Sequence, residues 1–226
     1  MSNELKQISN KFLLSLMVVA VLWVIHLISY VGDMNLAFLG VYPRTAKGLL
    51  GILTAPLIHG SWGHLASNSA PLLVLLTGLM VFFRQESKTV LLVSYVATGL
   101  WVWVAGRNSF HIGASGVVYA LAFFAFFSGV FRKDIRSIAL ALIVAFLYGG
   151  MVWGIFPMQE GVSWESHMFG GIAGIILAWY FRKSGPKPKS YDWEEDIDRP
   201  EDEYAAWNYK NLYPPPEGFS YPNKEE

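Results

Sequence analysis

The chain has 226 residues, 54% of them hydrophobic and only 15% charged, and its formal net charge is zero. A composition that apolar leaves too little polar surface to solvate a globule of one domain's length, so a membrane protein is the first reading. With no cysteine, disulfides, thiolate metal sites and a cysteine nucleophile are excluded.

Crossing about 30 Å of hydrocarbon as a helix takes roughly 20 mostly apolar residues. In chain order the windows 12–31, 64–83, 90–106, 114–131, 137–156 and 166–181 meet or approach that requirement, and none has an Asp or Glu in its interior. The expected fold is therefore an all-α, multi-pass bundle of six spans. The first span is too long for the apolar part of a signal peptide and no A-x-A site follows it, so it is expected to be retained. The sixth is short, which suits a helix shielded by its neighbours.

Lys6 and Lys11 precede the first span, Arg84 and Lys88 join the second to the third, Arg132, Lys133 and Arg136 join the fourth to the fifth, and Arg182 and Lys183 end the sixth. All of these fall on one side. On the other side Arg44, Lys47 and Arg107 are offset by Asp33, Glu160 and Glu165. The excess of basic residues in short connections predicts that both termini are cytoplasmic. The second, fourth and sixth spans then start near the outer face.

Polar residues gather at those three outward starts. The second span, "HGSWGHLASNSAP", carries His64 and Asn68 four residues apart on one helical face, and Pro71 leaves the Ser67 carbonyl without its helical donor. The fourth carries Ser115 and Tyr119 at the same spacing; the sixth, "SHMFGGIAG", opens with His167 and continues through Gly170 and Gly174. Polar side chains at membrane depth normally face the bundle interior or a wet cavity, so the three groups are expected to converge in a hydrated cavity opening outward. Gly170 and Gly174 are read as helix packing, because small residues four apart let backbones approach closely.

Tight packing of the sixth span on the fourth would bring His167 beside Ser115, where a neutral imidazole can take the hydroxyl proton and make a nucleophile. No carboxylate inside the spans can complete a triad, so Tyr119 is expected to pack under the imidazole and hold its orientation. His64, Asn68 and backbone N–H groups at Ser115 are candidate donors to a developing oxyanion, with Gly113 and Gly116 leaving the backbone open to substrate.

The stretches "HLASN" at 64–68, "GASG" at 113–116 and "HMFGGIAG" at 167–174 resemble the rhomboid intramembrane serine proteases, in the family's order and on the matching spans. The resemblance covers about 12–183 and implies that Ser115 is the nucleophile, His167 the general base with Tyr119 packed against it, and His64 and Asn68 part of the oxyanion hole. It implies that His59 supports the adjoining loop. It further implies single-span membrane proteins as substrates, cut near the outer boundary of the bilayer. No cofactor, metal or nucleic acid is implied. The first outer loop, "GVYPRTAKGLLGILTAP", has Arg44 but lacks the Trp-Arg pair of many bacterial relatives, and it is apolar enough around Leu49 to Leu57 to lie partly in the membrane.

Between the fifth and sixth spans, "GIFPMQEGVSW" at 154–164 reads either as a lid over the dyad or as an interfacial loop anchored by aromatics. His26 is read as a buried or lipid-edge residue with a backbone partner, and His111 either as shaping the glycine loop or as having no role. Residues 184–226 hold eleven of the seventeen acidic residues, five basic ones and seven of the eleven prolines, which reads as a disordered cytoplasmic tail able to recruit a partner.

The sequence thus predicts a membrane domain over 1–183, with a tail over 184–226, acting as a serine endopeptidase in a bacterial inner membrane. Two alternatives accompany it: a catalytically silent relative that binds client membrane helices, and a metal site built from His59, His64 and His167.

Overall fold

The computed structural model describes residues 3–159 and 161–184, so the tail expectation lies outside the described residues. Among these residues, seven α-helices follow in order: α1 (Asn3–Val31), α2 (Ala46–Thr54), α3 (Trp62–Phe82), α4 (Ser87–Ala105), α5 (Ser115–Arg132), α6 (Ile135–Tyr148) and α7 (Trp164–Tyr180). Short 3-10 turns flank them, and α6 passes directly into one at Gly149–Ile155. Among the described residues there are no β-strands, only an isolated bridge between Val41 and His111.

Among the described residues, five segments are long and apolar enough to cross a membrane: Leu5–Val31, Trp62–Phe82, Ser87–Ala105, Ser115–Arg132 and Ile135–Ile155. The sixth expected span is α7, with 17 residues, packed mainly on α5 and α4. Boundaries moved by a few residues. The largest change is at α1, which starts at Asn3 and so runs about two and a half turns further toward the N-terminus than the apolar window. The expected fifth span ends its α-helical part at Tyr148, where two consecutive glycines tighten the chain into the 3-10 turn.

Helix α5 is the axis of the bundle. Its window is 61% buried, against 11% for Ile135–Ile155, so α5 is surrounded by protein while α6 presents most of its surface outward. Side chains such as Phe146, 89% exposed on α6, form the outward apolar surface that lipid would cover. Because lipid tails are as apolar as leucine, close backbone approach rather than hydrophobic driving force must hold such helices together. Small residues supply it: a Cβ at Gly170 would strike the Gly116 carbonyl, and one at Gly174 would strike the Ala120 carbonyl. Gly116 itself faces Thr98 and the Ser166 carbonyl from inside α5, so it packs helices and does not line the substrate face expected for it.

Local caps fix where the helices start. Ser61 accepts from the His64 N–H at 3.1 Å, Asp134 from the N–H groups of Arg136 and Ser137, and Ser163 from that of Ser166. The first outer loop is tied to the end of α4 by Arg44, whose guanidinium donates to the Gly106 carbonyl at 3.0 Å and to Asn108. Trp103 reinforces this by donating to the Thr45 carbonyl at 2.9 Å.

Candidate active site

A cavity of about 870 Å³ opens between the start of α3, the start of α5, the Gly149–Ile155 turn and the start of α7. Ser115, Tyr119, His167, His64 and Asn68 all line it. The three helix starts that the sequence singled out therefore do converge on one hollow.

Ser115 is the first residue of α5, and the cap position before it is Ala114, which offers no side-chain acceptor. The first turn of α5 therefore carries no side-chain cap, an arrangement that suits anion binding at a helix N-terminus. The Ser115 hydroxyl is half-buried and makes no hydrogen bond among the described residues, and none joins it to His167. The chain reaches Ser115 through Gly113, whose φ of 105° is in the region that favours glycine. A Cβ there would come within 2.7 Å of the His64 ring, and within 3.7 Å of Asn68 Nδ2. This packing brings the His64 and Asn68 side chains against the loop two residues before the hydroxyl. Asn68 is buried and uses one amide hydrogen on the His64 carbonyl at 3.0 Å, leaving a second donor.

The loop is held from behind by His59. Its Nε2 accepts from the Ala114 N–H at 3.4 Å, and its ring meets that of His64 edge-on with centroids 5.1 Å apart. Burial, aided by the neighbouring His64, pushes the His59 imidazole down to about 4.

His167 is buried on the opposite wall. Its ring lies on that of Tyr119, with centroids 4.1 Å apart and planes within 5°. His167 Nδ1 is 2.9 Å from the Gly154 carbonyl oxygen. A carbonyl only accepts, so the proton belongs on Nδ1 and the Nε2 lone pair is free to act as a base. Tyr119 Oη donates to the Met151 carbonyl at 2.7 Å.

These two carbonyls are the partners sequence reasoning missed. Backbone acceptors carry no residue signature, and the only hint was Gly154 heading a stretch of turn formers. In that stretch Phe156 and Met158 are exposed, whereas Gly154, Gln159 and Gly161 form cavity wall.

His111 also finds its place. Its Nδ1 accepts from the Ser163 hydroxyl at 2.6 Å and its Nε2 donates to the Arg107 carbonyl at 3.0 Å, tying the glycine loop to the start of α7. Burial lowers its pKa. Glu165, also buried, is engaged by Arg107 through the guanidinium Nε at 3.4 Å and the backbone N–H at 3.3 Å. His26 is buried against the Trp62 ring at 4.5 Å, and among the described residues its Nδ1 has no hydrogen-bond partner, so the expected backbone partner is not found at that atom. Pro71 sits within an unbroken α3. Among the described residues, no group of three or more His, Asp or Glu is placed to hold a metal ion, which leaves the reading of His59, His64 and His167 as ligands without support.

A family model described as the Rhomboid domain matches residues 46–184. Uncharacterized proteins of Mycobacterium tuberculosis and Mycobacterium bovis are each 33% identical over 186 residues, covering 76% of this chain and 75% of theirs. A chloroplastic rhomboid-like protein 11 of Arabidopsis thaliana is 28% identical over 150 residues, covering 58% of this chain and 52% of its own.

Proposed function

The chain is an integral, multi-pass membrane protein of the rhomboid family, and from that premise we propose that it is a serine endopeptidase cleaving membrane proteins in or near their transmembrane segments. Ser115 Oγ attacks the scissile carbonyl carbon while His167 Nε2 takes the hydroxyl proton. The resulting oxyanion is met by the Ser115 N–H, His64 and Asn68. Collapse breaks the C–N bond, with His167 returning the proton to the leaving amine, and water then hydrolyses the acyl-enzyme ester by the same route. The observation that carries this reading is the shared cavity: Ser115 and His167 both line it, and the Gly154 carbonyl at His167 Nδ1 leaves Nε2 as the basic nitrogen. An open Ser-His contact is ordinary before substrate arrives, since catalytic hydrogen bonds commonly tighten only in the Michaelis complex.

Substrates in this proposal are single-span membrane proteins entering from the lipid bilayer. The excess of basic residues in the short connections supports an orientation with both termini cytoplasmic and the cavity facing outward, and this orientation suits a bacterial inner membrane.

The competing reading is a silent family member that holds client helices without cutting them. Labelling by a fluorophosphonate probe separates the two. Under the protease reading the wild-type chain in detergent is labelled, Ser115→Ala is not, and only the wild type cuts a model single-span substrate. An unlabelled wild type that still retains substrate helices would favour the silent binder.

A further inference from the structure

The two stacked rings of the cavity are each held by the backbone of the same short segment. His167 Nδ1 donates to the Gly154 carbonyl at 2.9 Å and Tyr119 Oη donates to the Met151 carbonyl at 2.7 Å, and both carbonyls belong to the Gly149–Ile155 turn. We infer that this turn is the positioning element of the base: the Gly154 carbonyl does the work that a carboxylate does in a Ser-His-Asp triad, and the Met151 carbonyl fixes the ring on which the imidazole lies. The inference rests on the reading of Ser115 and His167 proposed above.

Three observations carry it. First, the nearest acidic candidate, Glu165, is turned to Arg107 at 3.4 Å and makes no hydrogen bond to His167 among the described residues. The orienting group is therefore neutral, which avoids the cost of an unpaired buried charge at membrane depth. Second, an acceptor at Nδ1 fixes the tautomer as well as the ring angle, the same job that outer partners do for metal-bound histidines. Third, residue 154 has no room for a side chain. A Cβ there would collide with Tyr119 Oη and come within 3.2 Å of both His167 Nδ1 and Tyr119 Cζ. Gly154 is thus wedged against both rings at once, and the turn cannot shift without releasing the imidazole. The turn also continues α6 without interruption, so displacement of that helix is transmitted directly to the base.

The test joins a spectroscopic measurement to a kinetic one on the full chain in detergent. With ¹⁵N-labelled histidine, and the His167 signals assigned by their loss in His167→Ala, the proton is expected on Nδ1; a proton on Nε2 overturns the inference. In Gly154→Ala a misplaced imidazole should lower kcat by about 100-fold, with KM for a single-span substrate changed by less than about twofold. Adding Tyr119→Phe to Gly154→Ala removes the colliding oxygen and should restore part of that loss. Wild-type kcat in Gly154→Ala, or a double variant whose losses simply multiply, would refute the assignment. Should Gly154→Ala not fold, Tyr119→Phe alone keeps the ring stack and loses the Met151 bond; it is expected to lower kcat at unchanged KM, and an unchanged kcat would count against the turn. Failure of Ser115 to label in the wild type would strike the protease reading instead, while the proton position on His167 would still decide this one.

Discussion

The Nε2 atom of His59 accepts a hydrogen bond from the Ala114 N–H at 3.4 Å, so a histidine ahead of α3 braces the residue that precedes the Ser115 hydroxyl. A bond in that direction requires a neutral imidazole, and burial together with His64 holds its pKa down to about 4. In the unfolded chain the same group takes up a proton near pH 6.5. Between those values the unfolded state binds more protons, so His59 contributes stability that is complete above about pH 6.5 and is lost as the pH falls toward 4. The expected outcome is a drop in the thermal midpoint of the wild type across that window and a shallower drop in His59→Asn. Parallel curves would show that His59 does not couple to folding.

Under the proposed protease reading, cleavage should fall on acidification, because only a neutral His167 can accept the Ser115 proton. Profiles of kcat/KM for a single-span substrate, taken from about pH 8 to about pH 5, check this directly; a flat profile contradicts the dyad.

His64→Ala and Asn68→Ala should each slow cleavage by about 10²–10³-fold while leaving it measurable, the usual consequence of deleting one oxyanion donor. Loss confined to KM would assign these side chains to substrate binding instead.

The α5–α7 seam offers a stability test free of catalysis. Gly174→Ala drives a Cβ into the Ala120 carbonyl and to 2.8 Å from the Phe124 N, an overpacking expected to cost about 1–3 kcal/mol. Gly78→Ala, where the nearest atom is the Leu140 Cδ1 at 3.8 Å, should be tolerated. Unfolding by graded addition of a denaturing detergent compares the two.

At the far end of α5, Arg132 Nη2 lies 2.7 Å from Glu86 Oε1, both side chains nearly fully buried, with the guanidinium over the Phe83 ring at 4.7 Å. Removing one partner leaves a buried charge uncompensated, so Glu86→Gln is expected to destabilise the chain by about 3–5 kcal/mol. Fluorophosphonate labelling of the fraction that folds should be unaltered, since Ser115 is at the opposite end of that helix.

Much of the site was legible because its pairs lie within single helices. His64 with Asn68, and Ser115 with Tyr119, are four residues apart, and helical geometry alone puts each pair on one face. The sequence left His111 open between shaping the loop and having no role, because its bond to Ser163 spans 52 positions of sequence. Gly116 was read as leaving the backbone open to substrate, whereas on α5 it lies against Thr98 of α4 and Ser166 of α7, a packing that depends on helices distant in sequence.

By itself the sequence determined that the chain lives in a membrane and roughly where it crosses, because a bilayer demands uninterrupted apolar length and that demand is written residue by residue. It also determined which polar groups stand at the starts of the second, fourth and sixth spans. Only the tertiary structure decided how those groups face one another across helices and which atoms orient the imidazole. The acceptors of Gly154 and Met151 are main-chain carbonyls, and every residue has one. Which carbonyl meets which ring depends on how tightly α7 seats on α5 and where α6 gives way to its 3-10 turn, and those depend on packing among segments distant in sequence.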